Sequence, residues 1–264
     1  MTRARAGSGR VTLVGGGPGA EDLLTLRAVR ALESADVVLY DRLAPHATLG
    51  TLAPRARLVD VGKRPGHHAL PQSEIEALMV GLALEGRHVV RLKGGDPYVL
   101  GRGGEEVLAC RRAGIPVEVV PGVTSAVAVP SAAGIPLTHR GVSHLFTVIS
   151  GHAPLDEETL GHLAGLGGTI VILMGVNTLP SLTAGLVRHG LPADLPLAIV
   201  ERGFQPGQRT TVTDLGGAVA AAARARAVSP AVIVIGEVVG LAHDGDPDAR
   251  AVVDRAAELG AAGA

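Results

Sequence analysis

The sequence predicts an α/β protein of two domains, the first built on a mostly parallel sheet and the second on a mixed one. Three observations lead there. The chain of 264 residues, 47% of them hydrophobic, is long enough for one large α/β domain or two small ones. Short apolar β-type runs alternate with helical patterns through the first half, as in strand–helix–strand units. In the second half, Gly203–Gly207 separates two strand-like runs in the manner of an antiparallel hairpin.

The elements follow from local composition. Val11–Val14 reads as the first strand, followed by a Gly-Pro-Gly turn and a helix from about Thr25 to Ser34. Asp36–Tyr40 and Arg57–Val61 are the second and third strands. Pro71-Gln72-Ser73-Glu74 opens a helix that Gly86 ends, and His88–Leu92 is the fourth strand. Glu105–Ala113 is a helix closed by Gly114, and Val117–Val120 is the fifth strand. Pro121–Ser125 breaks the chain and starts a small-residue helix, and Gly134–Arg140 connects to a second domain. Leu145–Ile149, Thr169–Met174, Leu197–Val200, Thr210–Thr213 and Ala231–Ile235 are its strands. The expected division is a tail over 1–10, domains over 11–121 and 122–242, and a second tail over 243–264.

Composition excludes several functions. Lys+Arg number 24 against 25 Asp+Glu, which leaves no broad electrostatic footprint for nucleic acid. Aromatic residues are 2% and Trp is absent, so base-stacking platforms are scarce. No apolar window is long and uninterrupted enough for a membrane span, and the basic segment Met1–Arg10 lacks the apolar core of a signal peptide. Cys110 is the single cysteine, which rules out an intrachain disulfide and a cysteine-rich metal site. His139, His144 and His152 do not follow a zinc spacing, so no metal is expected. The expected location is the cytoplasm.

The stretch from Val90 to Glu106 is the most informative. It ends an apolar run in a set of glycines with Asp96-Pro97, Arg102, Glu105 and Glu106 close by. Glycines this dense allow positive φ and close approach of backbone to a ligand. Asp96 before Pro97 suits a helix start. Parallel sheets bind ligands outside the carboxyl ends of their strands. That rule puts Asp41, Arg42, Lys63, Arg64, Asp96, Arg102 and Glu105 along one rim. Gly15, Gly17 and Ala20 also fit G-x-G-x-x-A, the dinucleotide pattern, although Pro18 interrupts it and helix-forming residues begin only near Thr25. A nicotinamide-dependent oxidoreductase is therefore an alternative, as is a non-catalytic binding module.

These motifs together resemble the uroporphyrinogen-III C-methyltransferase family of tetrapyrrole methylases, the class III methyltransferases. The likeness runs from about Val11 to Leu241. It rests on Val14–Gly19 with Leu24-Thr25-Leu26, Tyr40–Leu43, Val61–Arg64, Pro71-Gln72, Arg91–Glu106, Val120–Ser125, Gly134–Arg140, Ser150–His152, Met174-Gly175 and Gly236–Val238. The resemblance implies two α/β domains, a homodimer, and S-adenosyl-L-methionine bound in the cleft between the domains, with S-adenosyl-L-homocysteine as product. It implies cofactor contacts at Pro18, Gly94, Gly95, Asp96, Val99, Thr124, Ser125, Met174 and Gly203. It gives catalytic roles to Asp41, Lys63, Arg102 and Glu105 and substrate contacts to Arg140 and His152. Asp41 is cast as proton acceptor and Lys63 as proton donor, with Arg102 the alternative group for the proton. Arg42 and Arg64 are further cations expected to meet substrate carboxylates.

By the same resemblance the reaction is C-methylation of uroporphyrinogen III at C-2 and C-7 to precorrin-2, for siroheme or cobalamin synthesis. Another precorrin methylase is the nearest alternative; diphthine synthase and a ribosomal RNA methylase share the fold, but the Arg91–Glu106 block fits them less well. A macrocycle with eight carboxylates suits the arginines, whose planar fork pairs with carboxylate and keeps its charge. Leu173 stands where many members carry tyrosine, Gly16 where alanine is common, and Glu21-Asp22 replaces an Asp-Pro pattern.

Overall fold

A computed structural model describes residues 9–62 and 70–242 of the chain. The contacts divide the chain into two compact units, one up to Ser125 and the other from Ala126.

The first unit carries strands β1 (Arg10–Gly15), β2 (Val37–Tyr40), β3 (Arg57–Asp60), β4 (His88–Lys93) and β5 (Val117–Val120). They form one sheet in the order β3-β2-β4-β1-β5, and every pairing is parallel. Helices α1 (Leu26–Glu33), α2 (Leu49–Leu52), α3 (Gln72–Leu84) and α4 (Gly103–Arg112) make the crossovers. Side chains alternate across a strand. Val11, Leu13, Val37, Leu39 and Val89 accordingly meet Ile75 and Met79 of α3 and Val107 of α4. Val14, Val38, Val90 and Leu92 meet Ala28 and Leu32 of α1 and Leu49 of α2 on the other face. Burial on both faces explains why these strands read as continuous apolar runs.

The second unit carries α5 (Ser125–Ala132), α6 (Glu157–Leu166), α7 (Leu179–Arg188) and α8 (Ala218–Ala225) around strands β6 (Phe146–Ser150), β7 (Thr169–Leu173), β8 (Pro196–Glu201), β9 (Arg209–Asp214) and β10 (Ala231–Ile235). The sheet order is β6-β7-β10-β8-β9. Only β6–β7 is parallel, and β8–β9 is the expected hairpin, so the second sheet is mixed. Residues Ala126, Val129, Ala133 and Ile135 pack with Val171, Val200 and Val234 in the core of this unit. Gly134–Arg140 therefore lies inside the second unit rather than leading to it.

One further local expectation is corrected. Asp96-Pro97 begins a turn, not a helix: the Asp96 carboxylate accepts the Tyr98 amide at 2.8 Å, and α4 opens at Gly103. The Arg102 backbone turns left-handed (φ 58°) immediately before α4, which separates the turn from the helix. Among the described residues no helix is long and apolar enough to cross a membrane.

Candidate functional site

The loops at the carboxyl ends of the first sheet press together, and only glycine permits it. Gly15 ends β1, Gly94-Gly95 follow β4, and Gly122 follows β5, on three neighbouring strands. A Cβ built on Gly122 would stand 2.4 Å from the Gly95 carbonyl oxygen and 2.7 Å from Gly15 backbone atoms. One on Gly15 would stand 2.4 Å from the Gly122 nitrogen. Gly17 and Gly95 exchange backbone hydrogen bonds of 3.2 and 2.7 Å, and Gly95 is left-handed at φ 66°. Pro18 continues that turn.

The β2 and β3 ends join the same rim. A Cβ on Gly94 would meet Leu43 at 2.7 Å, and one on Gly62 would meet the Asp41 Cα at 3.5 Å. The structure thus brings together the loops that carry Asp41, Gly94, Gly95, Asp96 and Thr124. Lys63 and Arg64 lie outside the described residues, as do His67 and His68.

Asp96 braces this rim. Its Oδ2 accepts the Gly122 amide at 3.0 Å while Oδ1 accepts Tyr98. The first amide of α5, on Ser125, lies 3.4 Å from where a Gly95 Cβ would be. Open backbone beside a helix amino terminus suits an anionic group. Val99 is half-buried in the same loop.

Arg102 and Glu105 form a bidentate pair, with Nε–Oε1 2.8 Å and Nη2–Oε2 2.6 Å. Both are exposed; their mutual hydrogen bonding is the main cause that raises the arginine pKa and lowers the glutamate pKa. Arg42 is exposed beside Asp41.

A buried ionic network lies beneath the rim; the sequence points to Asp41 but assigns no role to Arg91, Lys93 and Glu106. The Glu106 side chain, fully buried on α4, offers Oε1 to Lys93 Nζ at 3.0 Å, Arg91 Nε at 3.1 Å and Gln72 Nε2 at 3.3 Å. Arg91 donates from Nη1 to the Leu92 carbonyl at 2.9 Å and from Nη2 to Asp41 Oδ2 at 3.3 Å. The Asp41 Oδ1 accepts the Leu43 amide at 3.1 Å. Burial is the main cause that lowers the Lys93 pKa, with the Arg91 charge second and Glu106 opposing both. The signal for these residues is β4 itself. Alternation puts Arg91 and Lys93 on the face of buried Val89, where cations need a carboxylate.

In the second unit the predicted residues sit on loops. Gly203 lies between left-handed Arg202 (φ 50°) and Phe204 (φ 60°), and its missing side chain leaves room for Val129, which a Cβ would meet at 2.7 Å. Met174 follows β7, left-handed at φ 62° and 45% exposed. Non-glycine residues in this region cost energy and mark constrained, often functional, backbone. His152 is exposed after β6, its amide on Ser150 Oγ at 3.3 Å, and Arg140 is exposed in the turn closed by His139 and Ser143.

The first glycine turn does not open a helix. A short 3-10 segment, Glu21–Leu23, intervenes, and α1 begins at Leu26 with Thr25 as its cap. A dinucleotide site needs its pyrophosphate on that helix terminus, so the oxidoreductase reading loses its structural basis.

A parallel sheet with glycine-lined strand ends and a braced acidic loop, followed by a mixed α/β unit, makes this a two-unit α/β protein with a candidate ligand rim at its first sheet. Residues 10–219 match the tetrapyrrole (corrin/porphyrin) methylases, and the chain belongs to that family. The S-adenosyl-L-methionine-dependent uroporphyrinogen III methyltransferase of Methanosarcina barkeri is 47% identical over 250 residues, 93% of this chain and 98% of the relative. The siroheme synthase of Gluconobacter oxydans is 48% identical over 88% of this chain, which spans about half (50%) of that relative. The crystal structure of uroporphyrin-III C-methyl transferase from Thermus thermophilus complexed with S-adenyl homocysteine is 43% identical, with a TM-score of 0.75 over 88% of this chain and 99% of that one.

Proposed function

We propose that this chain is an S-adenosyl-L-methionine-dependent C-methyltransferase of uroporphyrinogen III, adding methyl groups at C-2 and C-7 to give precorrin-2. The observation that carries the reading is the mutual packing of Gly15, Gly95 and Gly122 at three adjacent strand ends. Loops packed this closely without side chains present backbone amides and carbonyls at the strand ends, which fits a compact donor that bears an ammonium, a sulfonium and a carboxylate. Its likeness to relatives named for this activity supports the same choice.

When bound, S-adenosyl-L-methionine supplies the methyl group. In this reading Pro18, Gly94, Gly95, Asp96, Val99, Thr124 and Ser125 hold it, the Ser125 amide facing the carboxylate and the Asp96 charge favouring the cationic parts. Met174 and Gly203 also take cofactor roles. Because the Asp96 carboxylate already accepts two amides, it acts as a fixed anion that shapes the loop.

Arg42, Arg64, Arg140 and His152 bind ring carboxylates. Arg102 is held in plane by Glu105, an orientation from which a fork meets a carboxylate. Asp41, or in the alternative assignment Arg102, accepts the one proton that the ring releases as each methyl group is added and passes it to solvent, and Lys63 is assigned the companion acid. Positioning of ring carbon against donor contributes up to about 7–11 kcal/mol of the acceleration. The protein works as a cytoplasmic homodimer.

Mass spectrometry of the product formed from uroporphyrinogen III tests the reading. A ring carrying two added methyl groups, with release of S-adenosyl-L-homocysteine, is the expected result. Turnover restricted to a later corrin precursor would overturn it in favour of another tetrapyrrole methylase.

A further inference from the structure

Among the charged members of the buried network beneath the rim, Asp41 is the one that reaches solvent. Side chains of Arg91, Lys93 and Glu106 are 4%, 6% and 0% exposed, whereas that of Asp41 is 28% exposed. Arg91 is gripped along every edge. Glu106 holds Nε, the Leu92 carbonyl takes Nη1, and only Nη2 is left to face Asp41. The guanidinium therefore transmits the position of α4 to the end of β2.

The choice of a carboxylate at position 106 matters. Oε1 serves three donors, while Oε2 is buried without a hydrogen-bond partner among the described residues. Hydrogen bonding alone calls for no second oxygen, and glutamine offers the same single acceptor. What the carboxylate adds is charge. Two buried cations, Arg91 and Lys93, face two carboxylates, Glu106 and Asp41, and the set is neutral. Neutralising Glu106 leaves Asp41 as the one carboxylate for both cations and draws it toward Arg91.

We propose that Glu106 and Arg91 are positioning residues for the methyl transfer, acting through Asp41: Glu106 balances and orients Arg91, and Arg91 fixes the Asp41 carboxylate at the rim. This rests on the functional reading above and on the role given there to Asp41. Neither residue touches substrate, because neither is exposed.

A double-mutant cycle separates this from a purely structural role. Turnover of uroporphyrinogen III by the unaltered protein is measured first; its absence defeats the functional reading, independently of the network. Given turnover, Glu106→Gln lowers kcat by about tenfold and changes KM and S-adenosyl-L-homocysteine affinity by less than about twofold. In an Asp41→Asn background the same substitution costs less than about twofold in kcat, because its route of action is already gone. Arg91→Lys, which keeps the charge but loses the fork, follows the same pattern and serves if Glu106→Gln does not fold. Equal losses of kcat with and without Asp41, or parallel loss of cofactor affinity, would overturn the proposal.

Discussion

Asp41 and His88 mark opposite ends of the same sheet, and their surroundings set opposite tasks. Asp41 stands at the carboxyl end of β2, tied to Arg91 and the Leu43 amide but open to the rim. His88 begins β4 and is buried, its Nε2 2.9 Å from the Thr12 hydroxyl and its Nδ1 2.9 Å from the Ser34 carbonyl. Burial is the main cause that lowers its pKa from the ordinary 6.5. The folded protein thus binds this proton less readily than the unfolded chain. Stability is full above 6.5 and falls as pH drops through the lower folded value. Thermal unfolding followed between roughly pH 8 and pH 5 should show that decline. His88→Gln should flatten it, and an unchanged slope would mean other groups cause it.

The loops that carry Asp41, Gly94, Gly95 and Asp96 were legible in the sequence as strand-end loops, because glycines and aspartates cluster where the apolar runs stop. Arg91, Lys93 and Glu106 were not: charge inside a strand reads as surface until the alternation is followed across β4 to its buried face. Lys93 lies only just before the glycines, yet its amine points away from the rim into the network with Glu106. Cys110, also on α4, is buried, and burial pushes its pKa up to about 11, consistent with a packing role.

The elements themselves were read well where local chemistry decides them. Thr25 caps α1 through a 3.1 Å bond from the Ala28 amide, and the apolar runs of both sheets became strands. The glycine loop after β4 was misread at one point. Asp96-Pro97 carries helix-start chemistry, but the Asp96 side chain turns to its own Tyr98 amide and to Gly122. A distant amide competed with the local cap, which a sequence read outward from one residue does not reveal.

Gly81 behaves differently from the glycines at the rim. Gly81 sits inside α3, and a Cβ there meets nothing within 4 Å. Gly81→Ala should therefore raise stability by about 0.5–1 kcal/mol, since alanine loses less backbone entropy in a helix. Chemical denaturation measures this, and a loss of stability would show that the α3 surface is more constrained than its open space implies.

The chain comprises two α/β units, one with a parallel sheet and one with a mixed sheet. The strand–helix alternation of the first half specified the parallel sheet, and the hairpin at Gly203–Gly207 specified the mixed one. The run Gly134–Arg140 reads as the link to a second domain, whereas the contacts divide the chain after Ser125. The small-residue helix α5 follows the first sheet in sequence yet packs against β7, β8 and β10 of the second. Its composition signals close packing without naming the partner.

The proposed function rests on one central claim: a glycine-only backbone at Gly15, Gly95 and Gly122 holds the methyl donor. Calorimetric titration of S-adenosyl-L-homocysteine tests it directly, with the unaltered protein beside Gly122→Ala and with Gly81→Ala as control. In Gly122→Ala the new Cβ meets the Gly95 carbonyl oxygen at 2.4 Å, so the loops must part. Affinity should fall by at least about tenfold, equivalent to about 1.4 kcal/mol, while Gly81→Ala binds as the unaltered protein does. Equal affinity in all three, with Gly122→Ala still folded, would contradict the claim.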